Sequence, residues 1–130
     1  MNDDEKLVSS ILILLVFRLL FSLIGDYQSM KMLGSINIKA YFADLAYYLD
    51  PIVVPIYICS YVILICALIF VVIGQIIWNY KLGGFFVILE GAFDIIGFII
   101  IAFFVDVSFS VGPLIDVLII FLGVKLFKRG

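Results

Sequence analysis

Four long apolar runs, at about residues 7–25, 52–78, 82–104 and 108–126, set what this chain can fold into. A helix needs about 20 mostly apolar residues to cross the hydrocarbon core of a bilayer, and each run supplies close to that or more. Hydrophobic residues make up 66% of the chain and charged residues 14%, and the mean hydropathy is +1.34, well outside soluble norms. The runs and their connections use up the 130 residues, so no separate soluble domain is expected. The expected fold is all-α: one integral membrane domain over 1–130, built as a four-transmembrane-helix up-down bundle.

The connections carry their own signals. Residues 79–82, NYKL, followed by Gly83 and Gly84, predict a tight turn that forces the second and third helices into an antiparallel hairpin. An equally tight turn is predicted around Val105 to Ser108. The connection from 26 to 50 is longer, and within it Ile38, Tyr41, Phe42, Leu45, Tyr48 and Leu49 fall on one helical stripe, with Lys39 and Asp44 off it. Asn37 is a candidate cap, and Asp50-Pro51 interrupts the end. The spacing predicts a short interfacial amphipathic helix at about 37–49, packed over the mouth of the bundle in preference to sensing lipid or docking a partner.

Basic residues give an orientation. Lys6, Lys81, Lys125, Lys128 and Arg129 fall on one side of the expected bundle, and Lys31 and Lys39 on the other. The positive-inside bias predicts a multi-pass protein with both termini cytoplasmic and the 26–50 connection outside. Tyr27, Tyr41, Tyr47, Tyr48, Tyr57 and Tyr61 mark the outer level, Trp78 and Tyr80 the inner one. The acidic opening MNDDEK, with no small-residue cleavage site after the first run, predicts a retained helix and not a signal peptide.

Several functions are excluded on chemical grounds. A formal charge of −2, a pI near 4.8 and the absence of His or a basic stripe argue against a nucleic-acid surface. Cys59 and Cys66 lie seven apart on one helix, separated by about 10 Å of rise, and cannot pair. With no phosphate loop, nucleophile elbow or zinc motif, neither an enzyme, a cofactor nor a metal is expected.

What remains is the set of ionisable residues at membrane depth: Arg18, Glu90, Asp94 and Asp116. Each costs about 2.5–3.5 kcal/mol at a helix centre on insertion scales, and apolar neighbours offset that cost. Counting from the helix ends puts Arg18 and Asp116 at nearly one level, with Asp94 slightly deeper and Glu90 deeper still. An Arg18 clasp to Asp116 and Asp94 would pin three helices, since a guanidinium serves two carboxylates at once. Glu90, four residues from Asp94 and on the same helix face, is left over as the candidate to titrate, bind a cation or face a partner. Ser60, Ala67 and Gly74 on the second span, with Gly91, Gly97, Gly112 and Gly123 on the others, read as helix-packing positions.

The leading expectation is a non-enzymatic accessory or structural subunit of a larger membrane assembly, with Glu90 toward a partner helix. Its partners would be the lipid bilayer and either foreign subunits or further copies of the chain. The alternative is a proton- or cation-coupled channel or transporter acting as a homo-oligomer, with Glu90 on an aqueous pathway.

Overall fold

The computed structural model describes residues 3–48, 51–77, 79–104 and 111–129, and it is helical nearly throughout. Five helices follow in order: α1 (Asp3–Leu33), α2 (Ile38–Tyr48), α3 (Val53–Ile76), α4 (Tyr80–Phe104) and α5 (Val111–Arg129). Three of them, α1, α3 and α4, are long and apolar enough to cross a membrane. Cys59 and Cys66 are free thiols.

α1 runs well past the expected end at residue 25. Asp3, Asp4 and Glu5 occupy its first turn and Lys31 its last, each sign complementing the helix dipole. Gly25 does not stop it, because a lone glycine weakens a helix without breaking it. The stop is Gly34, whose φ of 71° takes the left-handed conformation. The Gly34 amide donates to the Lys31 carbonyl at 3.2 Å and the Ser35 amide to the Met30 carbonyl at 3.0 Å, a Schellman closure.

α2 starts where Asn37 predicts, its side-chain oxygen accepting from the Ala40 amide at 2.8 Å. Only the centre of the expected stripe is covered: Tyr41 and Leu45 are buried while Ile38 and Tyr48 are exposed. Leu49 and Asp50 lie outside the described residues.

The hairpin between α3 and α4 is tighter than expected. Tyr80, Lys81 and Leu82 belong to the first turn of α4, and Asn79 caps it by accepting from the Leu82 amide at 3.4 Å. Gly83 and Gly84 are not turn residues. A Cβ at Gly83 would sit 3.0 Å from Val71 Cα of α3, and one at Gly84 2.5 Å from the Phe127 nitrogen of α5, so both mark close helix crossings. Trp78 and the predicted turn around Val105 to Ser108 lie outside the described residues.

α1 and α4 each adjoin both α3 and α5, so the four long helices form a ring with α1 and α4 across one diagonal. Adjacent helices are antiparallel: Gly84 meets Phe127 and Gly91 meets Ile120 between α4 and α5, while Asp4 pairs with Arg129 at 2.7 Å between α1 and α5. α2 lies against α1 and α3 at the end away from the termini. The half nearer the termini is filled by a dry core that includes Val8, Ile11 and Leu15 of α1, Leu64 and Val71 of α3, Val87 of α4 and Ile119 and Leu126 of α5.

Candidate functional site

Where that dry core ends, the deep charges meet. Arg18 Nε lies 2.9 Å from Asp116 Oδ1 and 3.5 Å from Asp94 Oδ2, and Arg18 Nη1 donates to Ser22 Oγ at 2.9 Å. α1 thus carries a fork that reaches α5 beside it and α4 across the diagonal. Ser60 of α3 donates to Asp94 Oδ1 at 2.5 Å, so all four long helices supply a group.

Gly91 explains how the acids come so close. A Cβ there would stand 2.5 Å from Ile120 Cγ1 and 3.0 Å from the Asp116 carbonyl oxygen, so only glycine lets α5 bring Asp116 against α4. One oxygen from each of Glu90, Asp94 and Asp116 then lies within 4.8 Å of the others. These residues are 0%, 7% and 1% exposed, which removes bulk water as a source of screening. At an effective dielectric constant of about 20, two like charges at that spacing repel by roughly 3–4 kcal/mol. One guanidinium cannot offset three carboxylates, so the cluster calls for a further positive charge, a proton or a cation. The same three residues are the ones whose oxygens could hold a metal ion.

Glu90 is the exceptional member. It is fully buried, and neither Oε1 nor Oε2 has a hydrogen-bond partner among the described residues. Its side chain is enclosed within its own bundle.

A cleft of about 540 Å³ descends on this centre from the end away from the termini, between α1, α3 and α4. Its polar lining is Arg18, Ser22, Asp26 and Ser29 of α1, Tyr57, Ser60 and Tyr61 of α3, and Asp94 of α4. The acid that lines the cleft is therefore Asp94, and Glu90 lies one helical turn beyond its floor. Near the mouth the Asp26 carboxylate accepts from the Tyr61 hydroxyl, and the Tyr41 hydroxyl of α2 stands 3.5 Å away. Burial, and then the Asp26 carboxylate, push the Tyr41 phenol up to about 12, so it stays a neutral donor.

The expected packing positions divide. Ala67 is fully buried in the core and Gly112 is buried at the start of α5. Gly74 accommodates the backbone of Asn79, Gly97 the side chain of Ile56, and Gly123 those of Val87 and Ile88. Ser60 instead belongs to the acid centre. Sequence reasoning missed the wall of the cleft on α1, although Arg18, Ser22, Asp26 and Ser29, at offsets 0, 4, 8 and 11, make a polar stripe once the helix is carried past Gly25. No protein-family model, curated protein or solved structure matches this chain.

Proposed function

We propose that the chain is a multi-pass membrane transporter that admits a cation from its outer face to the carboxylate centre of Glu90, Asp94 and Asp116. The observation that carries this reading is the one-sided cleft: it ends on Arg18, Ser60 and Asp94, while packed apolar side chains fill the half beyond. A central binding place open to one side and closed to the other suits a carrier that alternates between sides, whereas a channel needs a continuous path. The cleft belongs to a single bundle, so the reading does not depend on a homo-oligomer.

Four spans fit this reading. At 19 residues α5 measures about 28 Å, close to the thickness of the hydrocarbon core. Lys125, Lys128 and Arg129 sit in its last two turns, where their stems reach the interface, and Asp116 is turned inward. With both termini cytoplasmic by the positive-inside bias, the cleft opens outward and α2 rests at the outer interface beside its mouth.

The accessory-subunit reading has less support, because it depends on Glu90 meeting a partner and that side chain is enclosed. Proteoliposomes containing the purified chain should take up a cation down its gradient faster than empty vesicles. Glu90→Gln should abolish the uptake while the protein keeps its helicity and its elution volume. Folded wild-type protein that moves neither metal cations, monovalent cations nor protons would reject transport and return the subunit reading.

A further inference from the structure

We infer that Glu90, Asp94 and Asp116 form a binding site for one hard divalent cation, of the Mg²⁺, Mn²⁺ and Ca²⁺ class. The inference rests on the transport reading for its purpose, since it names the ion that the carrier would take, but its evidence is separate.

Geometry comes first. Three carboxylate oxygens within 4.8 Å of one another share a point no more than about 2.8 Å from each, so a small inward rotation of the side chains brings all three to the roughly 2.3–2.6 Å typical of Ca²⁺–oxygen bonds. A second observation goes beyond the clustering: Glu90 is fully buried at its centre, and neither of its oxygens accepts a hydrogen bond from a donor among the described residues. A purely structural clasp would leave no such orphan, because buried carboxylates are otherwise hydrogen-bonded or paired.

Charge and donor type then select the ion. With all three carboxylates ionised, the Arg18 guanidinium leaves two negative charges uncompensated, which one divalent cation cancels. The donors are oxygens alone; the chain has no His, and Cys59 is exposed away from the centre. All-oxygen sites favour Mg²⁺, Ca²⁺ and Mn²⁺ over the softer metals that imidazole or thiolate would draw. The cleft reaches Asp94 and gives a route for the ion and for the waters that such ions keep in their coordination. Arg18 shares Asp116 with the ion and so weakens the site relative to three unshared carboxylates, as a carrier that must release its cargo requires.

The probe is Mn²⁺, followed by electron paramagnetic resonance as it is added to the purified full-length protein in metal-free detergent buffer. The wild type should bind one Mn²⁺ per chain, displaced by Ca²⁺ or Mg²⁺. Glu90→Gln should weaken binding by more than the ~10-fold that loss of an outer contact typically costs. Asp44→Asn, on α2 and far from the centre, should leave it unchanged. If Glu90→Gln does not fold, Glu90→Asp, which keeps the charge on a shorter arm, should bind with intermediate affinity, and the wild-type stoichiometry stands by itself. Absence of Mn²⁺ binding at millimolar concentration, or wild-type affinity in folded Glu90→Gln, overturns the site. Proton flux in metal-free vesicles with no Mn²⁺ bound would overturn the site and leave transport standing. Stoichiometric Mn²⁺ binding without flux of any ion would keep the site and reject transport.

Discussion

Arg18 and Asp116, 98 residues apart in the chain, meet with Nε 2.9 Å from Oδ1 and join the first long helix to the last. Asp116 is 1% exposed and has no water to fall back on. Arg18→Leu should therefore destabilise the protein by about 3–5 kcal/mol, the cost of leaving a buried ion without its partner. Asp116→Asn in the same chain should restore part of that. Unfolding of the two single variants and the double variant in detergent measures the coupling, expected at about 0.5–3 kcal/mol. Strict additivity would argue against a direct interaction.

The glycines of α4 and α1 should rank by what a new methyl group meets. Gly84→Ala drives a Cβ to 2.5 Å from a backbone nitrogen, which cannot move without shifting α5. Gly91→Ala meets the Ile120 side chain at Cγ1, 2.5 Å away, which can rotate, and the Asp116 carbonyl oxygen at the looser distance of 3.0 Å. The loss should be greater for Gly84→Ala, about 1–3 kcal/mol or more, than for Gly91→Ala. Gly25→Ala meets nothing within 4 Å and should gain up to about 1 kcal/mol from helix propensity. Thermal unfolding of the three variants checks the order.

Water in the cleft can be mapped by cysteine reactivity. In a chain with Cys59 and Cys66 replaced by Ser, Ser29→Cys and Ser22→Cys line the cleft and should react with a small cationic thiol reagent, Ser29→Cys faster because it is nearer the mouth. Leu64→Cys, 2% exposed in the dry half, should not react. Equal rates at all three positions would mean that the cleft does not direct access.

The same background tests orientation. Lys39→Cys on α2 should be labelled by an impermeant reagent outside intact cells, and Lys128→Cys at the end of α5 should be labelled only after permeabilisation. The reverse pattern would invert the protein and place the mouth of the cleft in the cytoplasm.

Asn37 offers a local check on α2. Its oxygen takes up one of the free amides at the start of that helix, so Asn37→Ala should cost about 0.5–2 kcal/mol of local stability. Hydrogen exchange should rise over the first turn of α2 while α3 and α4 are unchanged.

The all-helical fold, the long apolar helices α3 and α4, the start of α2 after Asn37 and the identities of Arg18, Glu90, Asp94 and Asp116 were all legible in the sequence alone. Each rests on a local property: a long apolar run, a capping side chain, or a charge where charge is costly. Arg18 and Asp116 do meet as the depth count suggests, although the count for Arg18 started from residue 25 and α1 runs on to Leu33. Counting failed where the outcome depended on the neighbouring helix. Gly83 and Gly84 follow the NYKL turn at the start of the third apolar run, and nothing local marks them as crossing points, because the approach of Val71 and Phe127 is invisible in a local pattern. The end of α1 moved from residue 25 to Leu33 because Gly25 is tolerated within the helix and Gly34 provides the closing geometry. Depth also says nothing of direction around the bundle. Only the close packing of α5 on Gly91 and Gly123 turned Asp116 toward Glu90 and Asp94, and only the space left between α1, α3 and α4 made Asp94, not Glu90, the acid at the floor of the cleft. Rotation and separation of helices are set jointly by all their contacts, so those decisions belong to the tertiary structure.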